Sequence, residues 1–539
     1  MTAPLSFITV AGSSDTARFG TTLASLRAQS RSDWELVVSG TLPPSESPGD
    51  RRVVVVPGPA PTPLDAANQA LARATGEHVA FVDPGDELAP TTVAAIAAVA
   101  PGADCVYSDE DEIDDAGARS NPFLKPGWSP DRLRCQPYTG RVCALRRAVV
   151  DAVGGLRPEV EGAHEHDLVL RVTERGGAVV HLPEILYHRR WPPGGVAGHH
   201  TDLAAGRRVI AEHLARVRFP GVLADGEGEH PGLHRLRPRL PSEPLVSVVI
   251  PTAGRSRLVR GTQLTLVANC VESLVKRSTY GNYEIVCVVG DEAGEATRAR
   301  LHDLAGDRLR LVRYDGPFNF ARAINLGALH ARGDHLLLLN DDTQVITRDW
   351  IESMLMFAVD PGVGAVGAKL LFADNRIQHA GIIAVGRGGP GHACYGFPGD
   401  DPGYADNFLV PSDYLAVTGA CLLTKRACFE AVGGFATTFP LNYNDIDYCL
   451  KLRHRGLRVV LSPEATLFHF EWSSRLSGEV AGEELERLNE RWGSVLERDP
   501  FYNCGFLPST DFRPPVRTVA GARRAEASPS LRAPAAALP

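Results

Sequence analysis

Short apolar runs alternate along the chain with segments whose apolar positions recur at helical spacing, and this alternation starts twice. The run at 5–10 leads through a helical segment at 21–29 into a second run at 34–38; the run at 246–250 leads through 264–275 into 283–289. Runs this short, separated by helices, predict parallel strands covered on both faces. Each copy continues with an Ala-rich helix, a glycine and a strand ending in acid, ANQALARATGEHVAFVDPGDEL at 67–88 and AINLGALHARGDHLLLLNDDTQV at 323–345. Gly76 and Gly333 are 257 residues apart, as are Asp83 and Asn340. Further on, AVGGLRPEVEGAHEHD at 152–167 parallels AVGGFATTFPLNYNDID at 431–447, and EILYHRR at 184–190 parallels ATLFHFEWSSR at 465–475. Four matching segments in one order predict a duplicated unit. The helical stretch 202–217 completes the first copy. The expected organisation is a first domain at 1–220, a Gly-, Pro- and charge-rich linker at 221–243, a second domain at 244–510 and a disordered tail at 511–539.

With 539 residues, 44% of them hydrophobic and 22% charged, the chain has enough apolar material for two cores. Its net charge of −8 gives no global reason to expect nucleic acid as a partner, so a phosphate-bearing ligand needs a local site. The apolar runs at 53–56, 93–100 and 336–339 fall far short of the roughly 20 residues of a membrane helix. The first ten residues lack a basic region followed by an apolar one, so the expected location is cytoplasmic. The ten cysteines are scattered without a C-x-x-C pair, which suits buried free thiols in a reducing compartment. No G-x-G-x-x-G follows either first strand, which ranks a dinucleotide-binding oxidoreductase low.

In an open parallel sheet, ligands bind beyond the carboxyl ends of the strands. Asn340, Asp341 and Asp342 follow such a run directly. Carboxylates there can hold a hard divalent cation that bridges a substrate's phosphates, but Asp and Thr also cap helices. Asn444, Asp445 and Asp447 open an amphipathic helix after Gly433 and Gly434. A helix dipole stabilises one carboxylate there, whereas a general base must be ionised and within reach of its proton; both readings stay open. His469 ends a strand, and the first copy repeats it as His188. Gln378, His379 and His392 lie in or beside a Gly-rich segment at 381–403, read as a mobile loop by the site or as plain surface.

This order of motifs resembles bacterial family 2 glycosyltransferases of the GT-A fold, in particular the tandem-domain group of O-antigen, rhamnan and cell-wall polysaccharide synthesis. The second copy carries VSVVIPT (246–252), FNFARAINLGA (318–328), LLNDDT (338–343), IQHAGI (377–382), AVTGACLLTKR (416–426), YNDID (443–447), HFEWSSR (469–475) and RDPFYN (498–503). The first carries YSDEDEID (107–114), PFLKPGWSPD (122–131) and LYHRR (186–190). The resemblance implies an α/β architecture of two tandem GT-A, Rossmann-like domains with mostly parallel central sheets. It also implies inverting transfer from a nucleotide-diphosphate sugar, with UDP or dTDP as the carrier, to a glycan or lipid-linked glycan.

By the same resemblance, Asp342 is a direct ligand of Mg²⁺ or Mn²⁺, His469 a further ligand, and Asn340 and Asp341 lie near the donor ribose and diphosphate. Asp445 is the base with Asp447 beside it, and Pro251, Thr252, Asp291, Arg322 and Gly419 belong to the donor pocket. A lipid-linked acceptor would draw the chain to the inner face of the plasma membrane as a peripheral protein. The first copy departs from the pattern: VAGSS replaces IPTAG, no acid follows WELVVSG, and Gly85 stands opposite Asp342 unless Asp86 swings in, although Glu165 and Asp167 match Asp445 and Asp447. That copy is expected to be degenerate. The rival for the whole chain is a non-catalytic sugar-nucleotide-binding or scaffold protein, which would need the metal site but no base at Asp445.

Overall fold

A computed structural model describes residues 4–12, 16–40, 49–58, 60–190, 202–225, 230, 232–385, 389–470 and 482–515. Two large sheets organise them. In the first, the strands lie in the order Val53–Val56, Trp34–Gly40, Leu5–Ala11, His78–Phe81, Cys143–Arg146, Cys105–Ile113, Val179–Arg190 and Glu87–Leu88, with Arg119–Phe123 branching off Cys105–Ile113. In the second, the order is Leu309–Tyr314, Tyr283–Gly290, Val246–Thr252, His335–Leu339, Cys421–Lys425, Val363–Leu371, Arg458–His469 and Thr343–Val345, with Ile377–His379 branching off Val363–Leu371. The two orders are the same once each strand is replaced by its counterpart in the repeat, and the second sheet adds Ser412–Asp413 alongside Arg458–His469. Each sheet is parallel over its first four strands and turns antiparallel where Cys143–Arg146 or Cys421–Lys425 enters.

The central strands Val246–Thr252 and His335–Leu339 are buried along their whole length, as strands covered on both faces must be. The pattern at 264–275 becomes the helix Leu266–Arg277, preceded by a hairpin of Ser256–Val259 and Thr262–Thr265 that the apolar pattern does not announce. The expected linker is partly folded: Gly221–Leu223 and Leu236–Pro238 pair as an antiparallel ribbon, with Leu236 buried. Residues 226–229 and 231 of that linker lie outside the described residues. Within the stretch 511–539 expected as a tail, Phe512 is buried against Tyr502, Phe506 and Phe408. Residues 516–539 lie outside the described residues.

Apolar packing runs across the junction of the two sheets, with Phe219 against Phe357. Polar bonds cross it too. The Arg458 guanidinium lies 2.5 Å from Asp131 and 3.3 Å from Asp413, and Ser129 donates to Asp413 at 2.9 Å. Asn503 donates to the Asp109 carboxylate (2.7 Å) and the Lys125 carbonyl (2.9 Å). Among the described residues no helix is long and apolar enough to cross a membrane. All ten cysteines are free, and the expectation that they are buried fails at Cys504, which is exposed.

Candidate active site

The acidic turn after His335–Leu339 does not cap a helix. Thr343–Val345 continues it as a strand that pairs antiparallel with the end of Arg458–His469, setting Thr343 opposite His469. The next helix, Trp350–Ala358, begins only after Asp349. This pairing brings His469 Nε2 to 3.2 Å from Asp342 Oδ1 and 3.3 Å from the Asn340 amide nitrogen, while the Phe470 N–H donates to the Asp342 carbonyl at 2.9 Å. On the other side, Thr252 at the end of the first strand donates its hydroxyl to Asp341 at 2.6 Å and accepts from the Gly254 N–H at 2.9 Å. Burial and the neighbouring Asp342 push the Asp341 carboxyl up to about 7, against the pull of the Thr252 hydroxyl.

Asp342 and His469 offer one oxygen and one nitrogen ligand, and the Asn340 side-chain amide oxygen Oδ1 is buried without a hydrogen-bond partner. Among the described residues no group of three or more His, Cys, Asp or Glu side chains converges. Two protein ligands fit a hard cation that takes its remaining oxygens from water and a diphosphate. The donor set therefore suits Mg²⁺ or Mn²⁺.

The second acidic cluster reaches the same end of the sheet. Leu339 pairs with Cys421, and the Asn340 N–H donates to the Ala420 carbonyl, so the 418–420 turn lies against the acidic turn. The Gly419 N–H in turn donates to Asp445 Oδ2 at 2.8 Å, and the Ile446 N–H donates to Oδ1 at 2.8 Å. A Cβ on Gly419 would stand 3.3 Å from the Asp445 Cβ, a tight contact that would press on the carboxylate's side chain. Asp445 is half-buried in the first turn of the helix Asn444–His454. It does not cap that helix: the capping position is Tyr443, with φ 58° and no side-chain cap.

Asp447, two residues on and so on another face of the helix, is fully buried and committed elsewhere. It accepts from the Trp492 indole at 2.9 Å and lies 3.0 Å from Arg491 and 3.6 Å from Lys451. Asp167, its counterpart in the first unit, is likewise buried between Arg157 and Arg171. Sequence reasoning missed the helix that supplies Trp492 and Arg491, Gly482–Leu496. From it, buried Glu484 also accepts the Leu441 and Asn442 N–H groups, both at 3.2 Å, fixing the loop before Asp445. Only the amphipathic pattern of that helix could have pointed to it.

Pro251 is buried opposite Val288. Asp291 is exposed and pairs with Arg313 at 3.2 Å, and Arg322 is exposed with its guanidinium 5.5 Å from the Tyr314 ring. Gly290 pairs with Tyr314, so Asp291 and Arg322 sit toward the outer strand of the sheet. His379 is buried beside the 418–420 turn: its Nε2 accepts from the Thr418 N–H at 3.4 Å, so Nδ1 carries the proton it shares with His392 Nδ1 at 3.0 Å. Burial, with His392 and His469 nearby, holds His379 well below its ordinary value and hence neutral. In the glycine-rich segment beyond it, Ile382–Ala384 pairs with Pro390–His392. Residues 386–388, and Glu471 to Arg475 of HFEWSSR, lie outside the described residues.

In the first unit the ladders shift the correspondence by one residue. Glu87 pairs with His188 as Thr343 pairs with His469, which puts Asp86 rather than Gly85 at the place of Asp342. Asp86 accepts from the Tyr187 hydroxyl (2.6 Å) and the Arg190 N–H (2.8 Å), and burial beside Asp83 pushes it up to about 6. His188 is held by Asp111 at 2.5 Å.

Residues 247–380 match the family described as glycosyl transferase family 2. The chain is 34% identical over 523 residues to the protein named y4gI of Sinorhizobium fredii, covering 91% of this chain and 56% of that protein. It is 33% identical over 502 residues to the O-antigen biosynthesis protein RfbC of Myxococcus xanthus, covering 89% of this chain and 38% of that protein. Among solved structures it is similar to the mannosyltransferase PcManGT of Pyrobaculum calidifontis in complex with GDP-Man and Mn²⁺, with 17% identity, 48% of this chain, 66% of that one and a TM-score of 0.33. It is also similar to S. aureus TarS in complex with UDP-GlcNAc, with 18% identity, 41% of this chain, 68% of that one and a TM-score of 0.30.

Proposed function

The chain carries a glycosyl transferase family 2 domain, and on that premise we propose that it is an inverting glycosyltransferase. It would move a sugar from a nucleotide-diphosphate donor to a hydroxyl of a surface or cell-wall polysaccharide. The observation that carries this reading is the 418–420 turn, which joins two acidic clusters of different character: one suited to a cation and a diphosphate, the other a half-buried carboxylate fixed by two backbone N–H groups. The printed name of the Myxococcus relative supports the acceptor class.

In this reading Asp342 and His469 hold Mg²⁺ or Mn²⁺, and a cation there would offset the charge growing on the departing diphosphate. Asp445 takes the proton from the acceptor hydroxyl as its oxygen forms the bond to the anomeric carbon and the bond to the diphosphate oxygen breaks on the opposite face, inverting the centre. Asn340, Asp341 and Thr252 line the donor side, with Pro251, Gly419, Asp291 and Arg322 as further donor-pocket residues and a UDP- or dTDP-sugar as donor. Asp447 acts as a positioning residue that fixes the helix bearing Asp445. The active domain is 244–510, and 1–220 is a degenerate copy. A lipid-linked acceptor sets the reaction at the inner face of the plasma membrane.

Calorimetric titration with UDP, dTDP and GDP, with and without Mn²⁺, tests the donor half of the proposal on wild-type and Asp342→Ala protein. The expected result is metal-dependent binding of one nucleotide, lost in the variant. Asp445→Asn is expected to keep that binding and lose transfer; undiminished transfer by this variant would remove Asp445 as the base. Nucleotide binding without transfer in the wild type would turn the reading to a sugar-nucleotide-binding scaffold.

A further inference from the structure

Two motifs of the first unit, YSDEDEID and PFLKPGWSPD, find no role in the proposed chemistry, yet they supply a fully buried ion pair. Lys125 Nζ lies 2.9 Å from Glu110 Oε2 and also donates to the carbonyls of Ser108 (2.6 Å), Thr139 (2.7 Å) and Arg141 (3.1 Å). Glu110 Oε2 also accepts the Arg141 N–H at 2.7 Å. Gly140 has φ 51°, and a Cβ there would fall 2.4 Å from Glu110 Oε2. The buried pair is therefore a clamp on the backbone of 139–141. Burying two opposite charges is costly unless their remaining bonding capacity is filled, and here backbone groups fill it.

The clamp aims the side chain of Arg141. Its guanidinium lies 3.1 Å from Asp83 Oδ2 and is also paired with Glu165 Oε1. The strand registers identify these positions. His78 pairs with Arg146 as His335 pairs with Lys425, so Arg141 stands where the second unit has Ala420, and Asp83 where it has Asn340. Glu165 is the second residue of the helix His164–Thr173, as Asp445 is of Asn444–His454. The guanidinium thus spans the cleft from the donor side to the position of the base. The other counterparts are committed as well, Asp86 to Tyr187 and Arg190, and His188 to Asp111.

We propose that Arg141 is a built-in cation that closes the first unit's cleft: it occupies the space between the two acids that a metal-bound nucleotide diphosphate would need, leaving one such site per chain. The count of one rests on the transferase reading of the second unit; the role of Arg141 does not. Carboxylates released from a guanidinium are ligands for a hard cation, and this gives the role a readout separate from activity.

The experiment counts bound Mn²⁺ by electron paramagnetic resonance on the full chain in an Asp342→Ala background. That protein is expected to bind no Mn²⁺ specifically. Adding Arg141→Met or Arg141→Gln should produce one new weak site, whereas Arg141→Lys, which keeps a cation in place, should not. Absence of a new site in a variant that still melts cooperatively would overturn the role of Arg141. Should both neutral variants fail to fold, Asp83→Asn plus Glu165→Gln with Arg141 intact is the second probe: the guanidinium, released from both carboxylates, should then bind inorganic pyrophosphate in the Asp342→Ala background, and no binding overturns the proposal. Calorimetry with UDP and Mn²⁺ gives the count. Two nucleotides per wild-type chain, or one that survives Asp342→Ala, would overturn the closed cleft. Absence of all nucleotide binding would refute the transferase reading alone, with the Mn²⁺ and pyrophosphate results still deciding Arg141.

Discussion

Replacing Arg458 with Met should loosen the junction of the two units, and by an amount that depends on pH. The guanidinium serves three carboxylates, Asp131 at 2.5 Å, Asp413 at 3.3 Å and Asp360 at 2.9 Å, whose side chains are 2%, 0% and 40% exposed. The exposed partner contributes less than about 1 kcal/mol. Asp131 keeps a second cation in Arg134. The loss therefore falls on Asp413, which retains the Ser129 hydroxyl and the weaker attraction of Arg453. Burial already pushes Asp413 up to about 6, with Asp131 adding to the shift and Arg458 opposing it. A carboxyl raised in this way binds its proton more tightly in the folded chain, so its contribution to stability is full below about pH 4 and is lost as pH rises through about 6.

Without Arg458 that value climbs further and the penalty extends to higher pH. Breaking a buried pair costs about 3–5 kcal/mol, and we expect the lower end at pH 8, falling to about 1 kcal/mol at pH 5, where Asp413 is neutral in both proteins. For a cooperative unit of about 250 residues, 3 kcal/mol lowers the melting temperature by roughly 6 °C. Thermal melts of Arg458→Met at pH 5 and pH 8 read the effect directly. An equal loss at both values, or a loss below about 1 kcal/mol at pH 8, would refute the account of a cation compensating a buried carboxylate.

Three further substitutions probe the site and its supports. Gly419→Ala adds a methyl 3.3 Å from the Asp445 Cβ, so transfer should fall by about 10- to 100-fold through misplacement of the base while nucleotide affinity holds; steady-state kinetics beside calorimetry separates the two. Asp447→Asn strips a buried charge from Arg491 and Lys451 and should cost about 3 kcal/mol in a denaturant titration. Its transfer per folded molecule should stay within about tenfold of wild type, unlike a base substitution. Asn503→Leu removes a donor shared by the Asp109 carboxylate and the Lys125 carbonyl, and a loss of about 2 kcal/mol in the same titration is expected.

The repeat was legible because it is carried by segments that cannot slip: a strand running into an acid must keep its register with its neighbours, and the offset of 257 residues from Gly76 to Gly333 matches two sheets of one order. The same offset misplaced the counterpart of Asp342. The two-residue strand Glu87–Leu88 takes its register from Tyr187 and His188, about a hundred residues away, and that pairing moves the match from Gly85 to Asp86. For the acids at 340–342, local propensity alone favours capping over ligation. Only the pairing of Thr343 with His469 makes that stretch a strand and brings a nitrogen ligand to Asp342. Asp447 looked like a companion to Asp445 because the two are close in sequence. Helical rotation and the indole of Trp492, 45 residues later, put it into the packing instead. Arg141 carried no signal, since its partners Asp83 and Glu165 meet only in the folded sheet.

The bond from Asn503 to Asp109 also sets an order of events. Its ends are 394 residues apart, so at synthesis rates of about 5–20 residues per second Asp109 waits roughly 20–80 s for its partner. Gly127, whose N–H donates to the Pro500 carbonyl, waits nearly as long. The first unit therefore leaves the ribosome with a buried carboxylate incompletely bonded, and a stretch 394 residues later finishes it.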